Sequence, residues 1–220
     1  RYRDCKIGRC EYSDITIFSF HPVKSITTGE GGMVLTNNIE LANKVRLFAN
    51  HGITRDKALL KNRDEDEFYY EQHELGFNYR ITDIQSALGI SQLARIDSFI
   101  KRRSEIADTY ISELKLTEFH TQRHLANTQS ANHLFPVCIN YESKVSKSYL
   151  FNFLKEGGVT CGCHYIPVHL QPYYQKKGFY RGDYPNAESY YNRALSLPIY
   201  PSLSDSDITK IVTLLHKVIR

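Results

Sequence analysis

The chain has 220 residues, of which 41% are hydrophobic and 24% are charged, and this composition is typical of a globular protein. It excludes intrinsic disorder, a coiled coil and a collagen-like fibre. Lys and Arg together number 28 against 24 Asp and Glu, so the net charge is +4. Basic residues are scattered among acidic ones throughout the chain, as in residues 61–67. This charge alone is weak support for a nucleic-acid partner, and we expect none.

The sequence predicts a cytoplasmic protein with no membrane partner. No apolar run approaches the ~20 residues that span a bilayer, and the start, Arg1 to Lys6, lacks the apolar segment of a secretory signal. Five cysteines, an odd number in a chain of this size, predict free thiols in a reducing compartment. The chain begins with Arg, and Met33 is its single methionine. We therefore expect it to be a piece of a longer protein.

The N-terminal third has the pattern of an α/β fold. Residues 15–20 are rich in β-branched and aromatic side chains and predict a buried strand, and residues 32–36 predict a second short strand. Residues 21–31, which contain a proline and paired glycines, predict the loop between them. A helix is predicted at 40–49. The polar and highly charged residues 54–74 predict a long surface loop.

Helical periodicity dominates the middle of the chain. Thr82 and Gln85 have the spacing of a capping box and predict a helix that runs toward Ile96. The periodic pattern resumes over residues 99–114. These two segments predict one long or broken helical connection.

The pattern changes after Lys115, which predicts two domains, residues 1–115 and residues 116–220. Paired glycines follow one of the second domain's helices, as they do at many helix ends, and an acidic first turn favours its last helix. The strands are at 134–139 and 159–166, and the helices are at 146–156, 185–195 and 205–219.

The stretch from Ser19 to Lys24 places a hydroxyl, an imidazole and an amine just past the end of a predicted strand. This is where α/β folds bind ligands. A lysine in a polar loop is usually a solvated charge. A reactive lysine needs partial burial or a cationic neighbour, and His21 with its apolar neighbours supplies candidates. Spacing alone leaves both interpretations open.

Two glycine-containing segments are candidates for anion binding. Residues 29–32 lack the Lys-Ser/Thr ending of a nucleotide-binding P-loop, and a tight turn explains them equally well. Residues 76–80 place an amide, a phenol and a guanidinium ahead of a helix N-terminus, where anions bind. Ordinary turn chemistry also explains Asn78.

The segment from Cys161 to His164, with His169 nearby, invites a metal interpretation. In a strand, however, alternation places Cys161 and Cys163 on one face and His164 on the other. Structural zinc sites also typically have longer cysteine spacings. We therefore expect no metal site, and a Cys-His catalytic pair fails for the same lack of convergence. Two interpretations of residues 164–169 remain. Their two histidines and one tyrosine could make polar contacts with a ligand, or the segment could be a strand edge that runs into a proline turn.

Taken together, several blocks of the sequence resemble the DegT-type, pyridoxal-phosphate (PLP)-dependent nucleotide-sugar aminotransferases, which have the aspartate aminotransferase fold (fold type I). These blocks occur in family order over nearly the whole chain. The resemblance implies an α/β chain that contains the C-terminal part of the large PLP-binding domain and the small α+β domain. The blocks are residues 18–24, 27–32, 74–85, 164–169 and 195–198.

The resemblance implies roles for three of these residues around PLP. Lys24 forms a Schiff base with the cofactor's aldehyde and moves protons as general base and acid, while PLP acts as the electron sink. Ser19 contacts the cofactor phosphate. Asn78 reaches the phosphate of the cofactor in the neighbouring subunit, which implies a homodimer with shared active sites. Relatives that remove a sugar hydroxyl carry His in place of Lys24, so transamination is preferred over dehydration.

The resemblance also implies a substrate class. The sequence most resembles the subgroup that acts in pseudaminic acid biosynthesis. Enzymes of that subgroup transfer an amino group from glutamate to a UDP-linked 4-keto-6-deoxy-N-acetylhexosamine, with 2-oxoglutarate as co-product. Another nucleotide-linked keto-sugar is an alternative, as is an inactive fragment or remnant. The positions near the nucleotide-sugar in relatives are Arg80, His164, Tyr165, Ile166 and Pro167.

The sequence departs from the family pattern at its start. Relatives carry an Asp that pairs with the pyridinium nitrogen of PLP, and that position precedes Arg1. Asp4 and Asp14 fall outside the family position and are not substitutes. The resemblance therefore implies a C-terminal fragment of an aminotransferase.

Overall fold

The computed structural model describes residues 1–218, and these form two compact units. The first unit contains Arg1–Ile96 and Asn127–Gln129, and the other described residues from Asp97 to residue 218 form the second. The helix after Ile96, which the sequence analysis placed in the first domain, therefore belongs almost entirely to the second unit. The boundary at residue 115 stays a prediction for the domains of a complete enzyme.

The first unit begins with an antiparallel pair of strands, β1 (Thr16–Ser19) and β2 (Gly32–Leu35). Helix α1 (Ile39–Ala49) follows, and the side chain of Asn38 caps it by accepting hydrogen bonds from two backbone N–H groups. Helix α2 (Asp83–Leu93) closes the unit and has the predicted capping box. These elements confirm the predicted β-loop-β-helix order.

The prediction that the first strand is buried is wrong. Ile17 of β1 is 74% exposed, and α1 and α2 contain no buried residue. A two-stranded ribbon has too few neighbours to cover both of its faces. The apolar pattern of residues 15–20 therefore predicted the strand correctly but not its degree of burial.

The surface loop predicted at residues 54–74 is more ordered than expected. Strands β3 (Ile53–Thr54) and β4 (Glu71–Gln72) pair at its ends. The carboxylate of Glu71 accepts hydrogen bonds of 2.9 Å from the backbone N–H groups of Lys61 and Asn62. These bonds to the ionised form lower the pKa of Glu71 to about 2.

The second unit contains an antiparallel sheet with the strand order β5-β6-β7. Its core is formed by apolar side chains of this sheet and of three helices, with Tyr110, Leu150 and Leu215 fully enclosed. The elements are α3 (Ile96–Leu114), β5 (Phe119–Thr121), β6 (Phe135–Ile139), α4 (Lys147–Glu156), α5 (Pro172–Gln175), α6 (Pro185–Arg193), β7 (Ala194–Leu197) and α7 (Asp205–Val218).

Two predictions in the second unit need correction. The predicted strand at 159–166 is reduced to an isolated bridge at Gly162, which pairs with Ser196 of β7. The predicted helix at 185–195 ends at Arg193, and its last two residues begin β7. Pairing with β6 and complete burial outweigh the local helical pattern there. The predicted end of the last helix, Ile219, lies outside the described residues.

Three findings on residues 1–218 concern membrane spans, metal ligands and cysteines. Every helix in this range is too short or too polar to cross a membrane. The same range contains no group of three or more His, Cys, Asp or Glu side chains arranged to hold a metal ion. All five cysteines are free thiols.

Candidate active site

The loop that follows β1 is held closed at its base by the backbone of Phe20. Its N–H donates a hydrogen bond of 2.9 Å to the carbonyl of Gly31, and its carbonyl accepts a bond of 3.0 Å from the N–H of Thr28. The Thr27 hydroxyl donates to the same carbonyl at 3.0 Å. The loop that carries Lys24 is therefore fixed at both of its ends.

A second set of contacts secures the far side of this loop. The buried Thr28 hydroxyl donates to the carbonyl of Glu30 at 2.7 Å, and the side-chain amide of Gln85 donates to the same carbonyl at 2.9 Å. A Cβ atom at Gly31 would lie 2.5 Å from the Thr28 hydroxyl oxygen. The capping box of α2 thus contributes its Gln85 to the ordering of the lysine loop.

The side-chain amino group of Lys24 has no partner among residues 1–218 in this ordered loop. Its backbone N–H donates to the carbonyl of His21 at 2.9 Å, while its half-buried side chain makes no hydrogen bond or ion pair with any residue in 1–218. The His21 imidazole lies 3.7 Å from a carboxylate oxygen of Glu30. Ser19, at the end of β1, is exposed, and its hydroxyl accepts a bond of 3.4 Å from the N–H of His21. An amine and a hydroxyl are thus available at the end of one strand.

Two glycines place residues 76–80 against the end of α1. A Cβ atom at Gly52 would lie 1.8 Å from the carbonyl oxygen of Glu74, and one at Gly76 would lie 2.3 Å from the nitrogen of Gly52. Gly52 also has a φ of +69°, a conformation that favours glycine. The two backbones approach so closely that both positions require glycine.

Asn50, which follows α1, organises the predicted residues Asn78 and Arg80. Its backbone forms an antiparallel bridge with Asn78, and its side-chain oxygen accepts a hydrogen bond of 2.7 Å from the Arg80 guanidinium. Asn78 and Arg80 are both exposed. Sequence reasoning missed Asn50, because only the close approach of these segments shows its role.

The structure places residues 164–167 beside β7. The Nδ1 atom of His164 lies 2.8 Å from the Ser196 hydroxyl. Tyr165 and Ile166 are exposed, whereas Pro167 is buried. His164, Tyr165 and Ile166 thus have accessible surface for a ligand, and Pro167 anchors the segment.

The cysteines beside this segment have separate surroundings. Cys161 is buried in the hydrophobic core, and burial raises the pKa of its thiol to about 11. The Cys163 sulfur instead lies 3.1 Å from the Lys147 ammonium. A thiol that stays protonated in an apolar core is a poor metal ligand.

A buried His-Glu pair, which sequence reasoning also missed, holds the chain that follows. The Nε2 atom of His169 lies 2.8 Å from a Glu188 carboxylate oxygen, which also accepts a bond of 2.7 Å from the N–H of Gly182. The contact with His169 lowers the pKa of Glu188. Because the two residues are nineteen positions apart, no local spacing in the sequence indicated this pair.

The predicted site residues therefore form three local groups. Ser19 and Lys24 share one loop, and Asn78 and Arg80 share the end of α1; both groups belong to the first unit. Residues 164–167 belong to the second unit.

Comparison with known proteins gives the chain its family context. Residues 1–216 match the DegT/DnrJ/EryC1/StrS aminotransferase family. An uncharacterized protein of Methanocaldococcus jannaschii is 41% identical over 221 residues, which cover 99% of this chain and 56% of that protein. A UDP-4-amino-4,6-dideoxy-N-acetyl-beta-L-altrosamine transaminase of Campylobacter jejuni is 36% identical over 222 residues, which cover 99% of this chain and 56% of the relative.

A solved structure confirms the predicted fold type I. Helicobacter pylori PseC, described as an aminotransferase involved in the biosynthesis of pseudoaminic acid, superimposes with a TM-score of 0.88 at 32% identity, over 100% of this chain and 56% of PseC. Aminotransferases of this family are PLP-dependent, and a further matching structure is a PLP form. The chain spans just over half the length of these relatives. It belongs to the DegT/DnrJ/EryC1/StrS aminotransferase family.

Proposed function

We propose that the complete protein is a PLP-dependent nucleotide-sugar aminotransferase and that Lys24 is its catalytic lysine. The observation that carries this proposal is the unpartnered amine of Lys24, half-buried in an ordered loop at the end of β1, in a chain that matches the family over residues 1–216. A free amine is the group that an aldehyde cofactor requires.

The residues present fit PLP. Lys24 would hold the aldehyde, and the exposed hydroxyl of Ser19 would contact the phosphate. The exposed amide of Asn78, supported by the Asn50 bridge, would contact the phosphate of a cofactor bound to a second subunit. This last role requires a homodimer with shared active sites, which is part of the proposal. When bound, PLP supplies an electron sink for negative charge at the carbon that bears the amino group.

The chain's own part in the reaction is proton transfer at the Nζ atom of Lys24. Nζ would take the proton from the Cα of the bound amino donor, and the resulting ammonium would return that proton in the next step. The half-buried position limits the number of water molecules that compete for this proton. The fixed loop ends at Phe20 and Gly31 keep the amine in reach.

The proposed substrates are glutamate and a UDP-linked 4-keto-6-deoxy-N-acetylhexosamine, on the route to pseudaminic acid. The names of the Campylobacter jejuni and Helicobacter pylori relatives support this choice. Arg80, His164, Tyr165 and Ile166 would contact the nucleotide-sugar, and the buried Pro167 would anchor the segment. An aminotransferase that acts on another nucleotide-linked keto-sugar is the alternative. The free thiols support a reducing, cytoplasmic compartment.

Borohydride reduction of the complete enzyme with PLP tests the proposal, because it fixes the cofactor on the lysine that holds it. We expect the label on Lys24 and its loss in Lys24→Ala. Lys57→Ala, which removes an exposed loop lysine of the same unit, should keep the label. Labelling of a different lysine, or no labelling of the complete enzyme, would refute the role of Lys24.

Two turnover assays address the remaining alternatives. The complete enzyme, supplied with glutamate and a panel of nucleotide-linked keto-sugars, should prefer the UDP-linked 4-keto-6-deoxy-N-acetylhexosamine; preference for another sugar would support the alternative substrate. The 220-residue chain is assayed in parallel, and turnover by it would refute the inactive-fragment hypothesis.

A further inference from the structure

We propose that Ser196 is a positioning residue that holds His164 with its Nε2–H free to donate a hydrogen bond to an oxygen of the nucleotide-sugar. This inference rests on the proposed function and names the recognition chemistry at one of its substrate residues. It follows from the contacts among Ser196, Gly162 and His164.

Ser196 is held rigidly. It lies in the fully buried strand β7 and is 5% exposed. Its N–H donates to the carbonyl of Gly162 at 2.8 Å, and its own carbonyl accepts a bond of 3.0 Å from the N–H of Gly162. Within residues 1–218 the Ser196 hydroxyl has a single hydrogen-bond partner, the Nδ1 atom of His164 at 2.8 Å. The backbone bonds therefore fix the point from which the hydroxyl reaches the imidazole.

Gly162 provides the space for this arrangement. A Cβ atom at this position would lie 2.7 Å from Cε1 of His164 and 3.3 Å from Nδ1. The imidazole therefore packs directly against the glycine backbone. The Gly162 backbone contacts one side of the imidazole ring, and the Ser196 hydroxyl contacts its Nδ1 atom.

The burial of Ser196 decides the direction of the hydrogen bond. If Nδ1 carried the hydrogen and donated it, the buried Ser196 O–H would have no acceptor among residues 1–218, which is costly. The hydroxyl is satisfied when it donates to Nδ1. A neutral imidazole that accepts at Nδ1 carries its hydrogen on Nε2.

The Nε2 atom of His164 is available to a ligand. It makes no hydrogen bond within residues 1–218 and is not among the enclosed polar atoms that lack a partner there, so solvent reaches it. A neutral N–H donor suits a diphosphate or hydroxyl oxygen. Nucleotide-sugars offer both kinds of acceptor.

Nitrogen NMR of the protein with 15N-labelled histidine tests the tautomer directly. At mildly alkaline pH, where imidazoles are neutral, we expect His164 to show an unprotonated Nδ1 and a protonated Nε2, with its signals assigned by their loss in His164→Gln. Ser196→Ala should shift His164 toward a mixture of tautomers, whereas Ser196→Thr, which keeps a hydroxyl, should retain the pattern. Ser189→Ala, which removes a serine hydroxyl bonded to Tyr141, is the matched control.

The wild-type spectrum is decisive even if the variants fail to fold, because a protonated Nδ1 would overturn the proposal. An unchanged tautomer in folded Ser196→Ala would also overturn it. Addition of UDP as a probe should shift the Nε2 signal of His164, and no shift at saturating UDP would refute the ligand role.

Kinetics of the complete enzyme separate this inference from the proposed function. Ser196→Ala should raise the KM for the nucleotide-sugar about tenfold with little change in kcat, the size expected for one misplaced hydrogen bond. Lys24 labelling by borohydride should be unaffected. A variant that loses kcat with an unchanged KM would contradict the inference, whereas absent Lys24 labelling in the wild type would contradict the proposed function.

Discussion

The two compact units differ in how they bury their apolar side chains. The second unit encloses a continuous core in which Tyr110, Leu150 and Leu215 have almost no exposed surface. The first unit contains two helices without a buried residue and a strand residue, Ile17, that is 74% exposed. The first unit nevertheless carries Lys24. The comparison shows that an apolar pattern predicts the type of an element, whereas burial depends on the neighbours that the chain supplies.

Truncation of a core side chain should have the largest effect on stability. Leu150 of α4 is completely buried, and Leu150→Ala should lower the free energy of unfolding by about 3 kcal/mol, because it removes apolar contacts and leaves a cavity. Urea denaturation followed by circular dichroism provides the measurement.

The matched variant in the first unit is Ile90→Ala on α2, where the side chain is 71% exposed. It should change the free energy of unfolding by less than about 0.5 kcal/mol. Equal effects of the two variants would contradict the contrast between the units.

Within the first unit, the close approach at Gly52 should matter more than any apolar side chain of α2. Gly52→Ala places a methyl group 1.8 Å from the Glu74 carbonyl oxygen and adds the cost of a positive φ, so we expect a loss of roughly 2 kcal/mol or more. Gly29→Ala is the control, because Gly29 also has a positive φ but no atom within 4 Å of the added Cβ. It should cost about 1 kcal/mol.

Thermal unfolding of both glycine variants and amide exchange of residues 76–80 check this prediction. Gly52→Ala should speed exchange at the N–H of Tyr79, which bonds to the carbonyl of Ala49. If Gly29→Ala destabilises the protein as much as Gly52→Ala, steric contact at Gly52 is not the cause.

The smallest expected effect concerns Glu71 and its pH dependence. Its pKa is lowered from 4.5 to about 2, mainly by the N–H groups of Lys61 and Asn62. Because the folded state favours the carboxylate, the contribution to stability is complete above pH 4.5 and is lost as the pH falls toward 2. Glu71→Gln should therefore be less stable than the wild type at pH 7, with the difference shrinking over this window.

Denaturation midpoints at pH 7, 4 and 2.5 would measure this change. Glu65→Gln, at an exposed position in the same segment, serves as the control for removal of a charge. A wild-type advantage that persists unchanged at low pH would show that the N–H bonds do not depend on ionised Glu71.

Local signals in the sequence predicted local features correctly. The capping box of Thr82 and Gln85 is present as expected, because its bonds lie within four residues. The loop predicted at residues 21–31 is also present, and its bonds at Phe20, Thr27 and Thr28 are local. Resemblance to the family added the fold type, which no periodicity in this chain specifies.

Features that depend on distant pairing could not be predicted. Residues Ala194 and Leu195 continue a helical pattern, and only the partner strand β6 makes them a strand. The bond between Asn50 and Arg80 joins residues thirty positions apart, and that between His164 and Ser196 joins residues thirty-two apart. Neither pair has a spacing that a local rule recognises.

The fixed loop around Lys24 has a consequence for the strength of the proposed cofactor binding. Ordering one flexible residue costs roughly 1–2 kcal/mol of conformational entropy. A mobile loop of eleven residues would incur this cost for each residue that became ordered when a cofactor bound. Here the bonds at Phe20, Thr28 and Glu30 order the loop during folding. Under the proposed role of Lys24, cofactor binding therefore requires little loss of chain entropy, because the amino group is already in place.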